Sequence, residues 1–344
     1  MEAHNLQPMA VPHRALRLVN TKDLEREEWL KVRKQGIGSS DAAAAIGLNP
    51  YKSQLELWME KTGRDKEIPK PDPDDDTSPV FWGTVLEPIV AVQYGKKTGN
   101  KVRRVNAVLQ HPDEDKHWML ANLDYAIAAN DEVQILECKT AGEFGARLWK
   151  DGVPEYVQCQ VQHQLAVTGK QAADVAVLIC GQEFRTYRIQ RDDALIEQLI
   201  KLERQFWHWV ETDTPPPADG SDSADKALRQ LYPHDHGEVL DFTADSDMNQ
   251  SFSELTQVRE QLITLAQREA ELKQYVQQNL GDASKANFAN GFISWKRSKD
   301  SVTLNTKALL QDKPNLINEY GQVRQGSRRF IINQKPTSNG ATQQ

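Results

Sequence analysis

The segment that most constrains the fold is Met119–Thr140, with the sequence MLANLDYAIAANDEVQILECKT. Its two apolar runs flank Asn130–Asp131, residue types that favour a tight turn between two strands. A turn centred there predicts an antiparallel hairpin in which Asp124 lies directly opposite Glu137. The register of such a hairpin depends only on where the turn is centred, because any even-length loop with this centre gives the same pairing.

The predicted hairpin brings two carboxylates together at the end of the apolar run Val133–Leu136. Directly opposed β-carbons lie about 4.5–5.5 Å apart, and like charges at that spacing destabilise a sheet. Asp124 and Glu137 therefore require a compensating cation. Side chains alternate along a strand, so Lys139 shares a face with Glu137 and lies opposite Asn122. Lys139 supplies one positive charge, and a divalent metal would supply the rest.

The donor atoms predict a hard metal ion. Carboxylate oxygens and a backbone carbonyl suit Mg²⁺ or Mn²⁺, and no histidine or cysteine pair in the sequence has convincing zinc-site spacing. An Mg²⁺ ion held by few protein ligands, with waters completing its shell, is typical of phosphate chemistry. Such an ion lowers the pKa of a bound water, and Lys139 would then position or deprotonate that water or stabilise the charge that develops.

Each of these residue patterns also has a purely structural interpretation. An Asp followed by Glu-x-Lys describes a surface hairpin with a solvated charge pair equally well. Glu87 lies three residues after Thr84, which makes a capping box for a helix predicted over 84–98. Gln160 is one of four alternating glutamines at 158–164 that could form the solvated side of a helix. The occurrence of all of them in one order favours a functional site.

Charge and cysteine content bound the class of protein. The net charge is −7, whereas most DNA-binding domains are basic. The charge is uneven, because residues 296–335 contain nine Lys or Arg against three Asp or Glu. The three cysteines are too few for a four-cysteine metal site and fit buried, free thiols in a reducing cytosol. We see no secretory signal in residues 1–14 and no apolar run long enough to span a membrane, so a cytoplasmic location is expected.

The order of predicted elements indicates an α/β (α+β) fold, with a central mixed sheet flanked by helices. Helices are expected at 21–35, 41–46, 53–63, 84–98, 154–168 and 193–210, and strands at 101–110, 118–128, 133–140, 173–180 and 184–190. Val85, Ile89 and Val92 would form one apolar face of the 84–98 helix.

Composition divides the chain into five parts. Residues 1–20 are predicted to form a flexible arm, 21–211 the main folded domain, 212–235 a Pro-rich linker, 236–335 a C-terminal helical extension that is basic near its end, and 336–344 a disordered tail. Within the extension, residues 253–280 have an apolar stripe close to a coiled-coil seam, and short strands are expected at 288–296 and 328–332.

A series of short motifs occurs in a fixed order between residues 29 and 169. In chain order they are Trp29 with Arg33, GIGSSD at 36–41, NPYKS at 49–53, LWMEKTG at 57–63, WG at 82–83, Glu87-Pro88, Leu123-Asp124, Glu137-Cys138-Lys139, Pro154-Glu-Tyr156 and Gln160-Val-Gln162. This order resembles the YqaJ family of viral recombinase nucleases, which are similar to lambda exonuclease within the PD-(D/E)xK superfamily. The resemblance implies a restriction-endonuclease-like core, with 21–211 as the nuclease domain.

The resemblance implies that four of these residues bind the metal ions and that a fifth acts on the water. Asp124 and Glu137 would bind the metal ions together with the backbone carbonyl of Cys138. Glu87 would complete the metal shell from its helix, and Lys139 would act on the water. The expected cofactor is Mg²⁺, with Mn²⁺ as a substitute and two ions per site.

Other matching residues would contact the DNA. Gln160 would approach the reacting region from the following helix, and Arg33 and Ser40, with Ser39 beside them, match positions that hold the 5′-phosphate of a DNA end. Asn122 stands where the relative has a serine, and a phosphate contact is expected there too. The local sequence supports a phosphate pocket, because glycines at 36 and 38 admit a ligand and a helix starting at 41 would offer free N–H groups.

The resemblance implies a Mg²⁺-dependent 5′→3′ exonuclease that degrades double-stranded DNA from its ends. It would act in phage-type homologous recombination by single-strand annealing, in the cytoplasm of a bacterial host. The implied partners are double-stranded DNA, a single-strand annealing protein and further copies of the chain in a trimeric ring. Two alternatives stay open, namely a PD-(D/E)xK endonuclease for DNA processing or defence and a non-catalytic DNA-binding homologue.

Overall fold

The structure is a computed structural model that describes residues 13–66, 68, 72, 74–323 and 326–333. The chain divides into two compact units, with the boundary between Tyr232 and Pro233. The predicted tail 336–344 and residues 1–12 of the predicted arm lie outside the described residues.

Within its described residues, the first unit contains eight α-helices and nine strands. The helices are α1 (Arg26–Arg33), α2 (Ala42–Ala45), α3 (Gln54–Lys61), α4 (Pro79–Thr98), α5 (Glu143–Ala146), α6 (Glu155–Thr168), α7 (Asp193–Glu211) and α8 (Asp222–Leu231). The strands are β1 (Leu16–Asn20), β2 (Ile37–Gly38), β3 (Lys101–Arg104), β4 (Ala107–Gln110), β5 (Met119–Asn122), β6 (Tyr125–Ala128), β7 (Ile135–Ala141), β8 (Ala172–Ile179) and β9 (Glu183–Gln190).

A five-stranded mixed sheet forms the centre of this unit, in the order β3-β6-β7-β8-β9. β7 and β8 are parallel and the other neighbours are antiparallel. Helices cover both faces, because Ile135 packs in one apolar cluster with α6 and its neighbour Leu136 packs in the other with α4. The predicted α/β fold with a central mixed sheet flanked by helices is thereby confirmed.

Helix α6 has the buried stripe that its sequence predicts. Val157, Val161 and Leu165 are fully buried against the sheet, at the spacing that places apolar residues on one helical face. The helix ends at Gly169, whose φ of 69° is the left-handed conformation that glycine adopts without a steric penalty. This helix connects β7 to β8, so its position relative to β7 is fixed by the parallel crossover.

A second sheet has the order β1-β4-β5-β2. Two of its strands, β4 and β5, are parts of longer strands predicted from the sequence. The predicted strand 118–128 is divided into β5 and β6 at Leu123–Asp124, and the predicted strand 101–110 is divided into β3 and β4. In each case one half pairs in the central sheet and the other in the second sheet. β1 pairs with β4, so the predicted arm is a paired strand over Leu16–Asn20.

The division changes half of the predicted hairpin register. Tyr125 pairs with Leu136 and Ala126 with Ile135, which is the predicted alignment. Asn122, however, pairs with Val108 in β4. The expectation that Asn122 lies opposite Lys139 is therefore wrong, because the chain leaves the hairpin before reaching that position.

Helix α4 begins at Pro79, more than one helical turn before the predicted start at residue 84. Ser78 is its N-cap residue and accepts a hydrogen bond from the Val80 N–H. Thr84 lies inside the helix, where its hydroxyl donates to the Val80 carbonyl. The predicted capping box at Thr84 and Glu87 is therefore wrong, which removes the structural explanation for Glu87.

The buried side of α4 also differs from the predicted apolar face. Val90, Ala91 and Tyr94 are buried against the sheet, whereas the predicted stripe is exposed, with Val85 43%, Ile89 55% and Val92 57% accessible. The helix carries enough apolar residues for two faces, and the sequence does not distinguish which one the sheet covers.

The segment after α1 is less helical than predicted. Ser39–Asp41 is a 3-10 turn and α2 spans four residues, with no side-chain cap on either. Neither Ser39 nor Ser40 therefore caps a helix. Gly36 is required here for close packing, because a β-carbon would lie 2.3 Å from the carbonyl oxygen of Trp118.

Helix α3 has a side-chain cap at its start, with an addition from α8, a helix that the sequence did not predict. The Ser53 hydroxyl accepts from the Glu56 N–H. The hydroxyl of Ser223 in α8 accepts from the Ser53 N–H and donates to the Glu56 carboxylate. α8 lies within the range 212–235 predicted as a linker, and its Ala224 and Ala227 are buried.

The second unit contains a long helix, α9 (Ser246–Leu280), a hairpin of β10 (Lys285–Phe288) and β11 (Gly291–Ser294), and two short helices, α10 (Thr306–Asp312) and α11 (Leu316–Tyr320). The predicted helix 253–280 is confirmed and extends further toward the N-terminus. Residues 328–332, predicted as a strand, have no regular secondary structure.

None of the described helices combines the length and the apolar character needed to cross a membrane. The cysteines at 138, 159 and 180 are free, but Cys180 is exposed rather than buried as expected, because it begins the tight turn between β8 and β9.

Candidate metal centre

Asp124 lies where the chain passes from the second sheet into the central sheet. Leu123 and Asp124 are the two residues that connect β5 to β6, and neither belongs to a strand. The Oδ2 atom of Asp124 accepts a hydrogen bond of 2.8 Å from the Cys138 N–H of β7. This bond holds Asp124 against β7 at the level of Glu137, as the hairpin register predicts, although the strand ladder itself ends one residue earlier.

Glu137 is the buried centre of a polar network beneath β7. Its exposure is 2%, and it faces α6 together with Ile135. Gln160 donates to Oε1 at 2.6 Å, and Gln164 donates to Oε2 at 2.7 Å. Both amides come from α6, four residues apart, and therefore project from the same side of the helix. The two amides of α6 thus fix the orientation of the Glu137 carboxylate.

Lys139 joins the same network from the next position on the same face of β7, two residues after Glu137. Its Nζ lies 2.8 Å from Glu137 Oε1 and donates at 2.8 Å to Gln160 Oε1. Gln160 therefore contacts both charged groups through its two amide atoms. Its interpretation as part of a solvated helix face is wrong, because Gln160, Gln162 and Gln164 are buried and Gln158 alone of the four is exposed.

The carboxylates of Asp124 and Glu137 repel each other, and both attract the ammonium group of Lys139. Burial and the negative charge of Glu137 raise the pKa of Asp124 well above its usual range. Burial alone would lower the pKa of Lys139, but the charges of Glu137 and Asp124 outweigh it and raise that pKa. Two close carboxylates thus carry an excess of negative charge that one ammonium group only partly offsets.

Glu87 approaches from α4, on the other face of the sheet. Its Oε1 is buried and has no hydrogen-bond partner among the described residues, although Nη2 of Arg104 lies 3.1 Å away. Burial raises the pKa of Glu87; Arg104 opposes this shift, and the charge of Glu137 adds to it. Glu87 is therefore within electrostatic range of the other acids.

The donor set suits a hard divalent cation. It offers the oxygens of Asp124 and Glu137, which repel each other, and an orphaned buried oxygen on Glu87. In the arrangement described, however, no three His, Cys, Asp or Glu side chains converge as a ready ligand cluster within the described part of the chain. The carboxylate pair fits an ion with a largely aqueous shell, and Glu87 would have to shift to join it.

A second charged cluster involves the predicted phosphate-binding residues. Arg33 donates to Asp41 Oδ1 at 2.7 Å and to the Ser40 hydroxyl at 3.3 Å, and its guanidinium lies over the Trp29 ring. Lys61 donates to Asp41 Oδ2 at 2.7 Å. The two cations overcome burial and lower the pKa of Asp41 below its usual range. Arg33 and Ser40 are thus brought together as predicted, and Ser40 is exposed.

The backbone of Asn122 connects the two clusters. Its carbonyl accepts from the Ser39 hydroxyl and from the Gln164 side chain, each at 3.4 Å. Ser39 is buried and makes this structural contact. No hydrogen bond or ion pair with another described residue is seen for the Asn122 side chain.

Sequence reasoning missed four residues of this region. Gln164 had a signal, since it lies four residues after Gln160 and so on the same helical face. Arg104 and its pair with Glu87 had none, because the contact depends on how β3 and α4 pack. The buried pair of His163 and Glu203, 2.7 Å apart on α6 and α7, is likewise visible only in the tertiary structure.

Comparison with known proteins places this geometry in a family. Residues 28–171 match the model of the YqaJ-like viral recombinase domain. The chain is 34% identical over 326 residues to YqaJ of Bacillus subtilis (strain 168), an alignment that covers 93% of this chain and 98% of that protein. The match thus includes the C-terminal region that carries no motif.

Two solved structures are also similar. An alkaline exonuclease from Laribacter hongkongensis is 23% identical, with a TM-score of 0.44, covering 60% of this chain and 97% of that one. A phage-related exonuclease from Haemophilus somnus 129PT is 12% identical, with a TM-score of 0.32, covering 54% of this chain and 99% of that one. The assignment rests on the two sequence matches, and the chain belongs to the YqaJ-like viral recombinase family.

Proposed function

We propose that this protein is a Mg²⁺-dependent exonuclease that degrades double-stranded DNA from its ends in the 5′→3′ direction. The observation that carries the proposal is the convergence of Asp124, Glu137 and Lys139 at the point where β6 and β7 diverge, with Gln160 joining the last two. Membership of a viral recombinase family supports a role in phage-type homologous recombination by single-strand annealing.

The residues of the centre divide the chemistry between them. Asp124, Glu137 and the Cys138 carbonyl would hold the metal ions, two per site, with Glu87 as an added ligand. Bound Mg²⁺ supplies a water of lowered pKa and offsets charge on the phosphate. Lys139 carries a proton beside Glu137, so it serves as a positive charge for the developing oxyanion. Gln160 keeps Lys139 and Glu137 in a fixed relative position.

The direction of cleavage would come from a pocket for the 5′-phosphate. Arg33 and Ser40 are adjacent, and the Arg33 guanidinium can form charge-assisted bonds with a terminal phosphate. A terminal phosphate carries more charge than one within the chain, so this pocket would favour an end. Ser39 and Asn122, which are joined by a hydrogen bond from the Ser39 hydroxyl to the Asn122 carbonyl, would add contacts to the same strand.

The test is digestion of a linear, 5′-phosphorylated duplex and a closed circular duplex with Mg²⁺. We expect the wild type to degrade the linear duplex and leave the circle intact. Asp124→Ala should abolish cleavage, and Lys139→Met should slow it by about 10²–10³-fold. Asp131→Ala, which removes an exposed acid from the adjoining turn, is the matched control and should remain active.

Two outcomes would replace the proposal. Cleavage of the closed circle would identify an endonuclease of the PD-(D/E)xK superfamily for DNA processing or defence. Binding of DNA without any cleavage would identify a non-catalytic homologue.

The proposal also includes a homo-oligomer, a trimer by resemblance, and a single-strand annealing protein as partner. Light scattering measures the first, and co-purification with a candidate annealing protein tests the second.

A further inference from the structure

Arg104, which contacts the motif residue Glu87, lies outside the motifs that identify the family. The Arg104 side chain is 52% exposed and that of Glu87 18% exposed, and the charged atoms are 3.1 Å apart. The Glu87 oxygen involved has no hydrogen-bond partner among the described residues. The guanidinium therefore holds this oxygen by its charge, in a geometry that does not satisfy it.

Arg104 holds one oxygen of Glu87 outside any ligand cluster with the other acids of the described residues. Glu87 lies on α4, which packs against one face of the sheet, while Glu137 faces α6 on the other. In the described residues no three potential side-chain ligands form a cluster around one point. Completion of a metal shell by Glu87 thus requires that its contact with Arg104 be weakened.

The strand that carries Arg104 is suited to a phosphate backbone. β3 is an edge strand of the central sheet, and three of its four residues are basic and exposed, namely Lys101, Arg103 and Arg104. A guanidinium binds phosphate and carboxylate with the same planar donor geometry, so the two anions compete for it.

We propose that Arg104 is a positioning residue that couples DNA binding to completion of the metal site. In the free protein it retains Glu87. A backbone phosphate of bound duplex takes over the guanidinium and releases Glu87 toward the metal ions. This inference rests on the proposed function and deepens it. By linkage, DNA and metal each increase the affinity of the protein for the other.

The experiment measures Mn²⁺ binding calorimetrically, with and without a short duplex that contains non-hydrolysable phosphorothioate linkages. Without DNA, Arg104→Met should bind Mn²⁺ roughly two- to fivefold more tightly than the wild type, the value of one partly exposed ion pair. The duplex should raise the Mn²⁺ affinity of the wild type, and raise that of Arg104→Met by a smaller factor.

Two controls separate this coupling from a general effect of charge. Arg103→Met removes the neighbouring charge of the same strand and should leave Mn²⁺ affinity unchanged. In a Glu87→Gln background, Arg104→Met should produce no tightening, because the residue on which it acts has lost its charge. Equal tightening in either control, or unchanged affinity in Arg104→Met, would overturn the inference.

The same measurements distinguish this inference from the proposed function. If the wild type failed to cleave DNA, but Arg104→Met still bound Mn²⁺ more tightly and still showed the smaller effect of the duplex, the nuclease assignment would fall and the coupling would stand. An equal effect of the duplex on both proteins would reject the coupling. If Asp124→Ala bound Mn²⁺ as tightly as the wild type, the metal would lie elsewhere and both would be rejected.

Discussion

The side-chain amide of Gln164 donates a 2.7 Å hydrogen bond to Oε2 of Glu137, across 27 residues of sequence. Both side chains are buried, so this contact fixes the orientation of the carboxylate without help from solvent. The free oxygen of the same amide has no partner among the described residues. Gln164 therefore orients Glu137 even though one of its own polar atoms is left without a hydrogen bond.

We therefore expect Gln164→Met to impair the centre while preserving side-chain volume. Loss of the donor leaves a buried carboxylate oxygen unpaired, which costs about 1–3 kcal/mol of stability. Metal affinity and cleavage should fall by about 10–100-fold, as for other groups that orient a metal ligand. Urea unfolding and Mn²⁺ titration measure the two effects. Gln158→Met, on the exposed side of the same helix, should change neither, and equal losses in both variants would mean a general helix effect.

Replacing Asp124 with Asn should stabilise the metal-free protein. Burial and the charge of Glu137 raise the pKa of Asp124, so its ionisation in the folded state costs free energy. The cost is absent below the ordinary aspartate pKa of 3.8 and grows as pH rises through the raised value. The amide oxygen can still accept from the Cys138 N–H.

In the presence of a metal chelator at neutral pH, we expect the melting temperature of Asp124→Asn to be about 2–4 °C higher than that of the wild type. This shift corresponds to roughly 1 kcal/mol in the free energy of unfolding. The difference should disappear near pH 4. Added Mg²⁺ should raise the melting temperature of the wild type and not that of the variant. A variant that melts lower than the wild type at pH 7 would show that repulsion is not the dominant effect.

Substitution of Arg33 should reduce discrimination between DNA ends. Arg33 also supports buried Asp41, so Arg33→Lys, which keeps the positive charge but not the planar fork, is preferable to truncation. Wild type should digest a 5′-phosphorylated duplex faster than a 5′-hydroxyl duplex, and Arg33→Lys should remove most of that difference. Melting temperatures establish that the variant is folded. Equal wild-type rates on the two ends would argue against the pocket.

The buried pair of His163 and Glu203 should make the protein less stable at alkaline pH. Desolvation lowers the pKa of His163, but the Glu203 carboxylate and the Leu120 carbonyl outweigh it and raise that pKa. A raised pKa stabilises the fold fully below the unfolded value of 6.5, and this contribution is lost as pH rises through the folded value.

Unfolding of the wild type in denaturant at a series of pH values should therefore show declining stability above about pH 6.5. His163→Gln should be less stable by about 3–5 kcal/mol at pH 6, because it leaves Glu203 buried without its partner. Its stability should depend less on pH in this range. Parallel pH profiles for the two proteins would assign the decline to other groups.

Local chemistry in the sequence determined several features correctly. The turn residues Asn130–Asp131 set the pairing of Tyr125 with Leu136, because a hairpin register depends on where its turn is centred. The start of α3 and the end of α6 lie within one residue of their predicted bounds, because Ser53 and Gly169 act there through backbone groups within a few residues. The order of motifs identified the family for the same reason, being a property of the chain alone.

The tertiary structure alone decided which partner each segment has. It divided the chain at Leu123–Asp124 between two sheets, moved Asn122 away from Lys139, and selected which side of α4 is buried. These outcomes depend on competition among strands and faces that are distant in sequence but equivalent in local pattern. The same competition placed Arg104 beside Glu87, a contact that is set by packing and leaves no trace in the spacing of the residues.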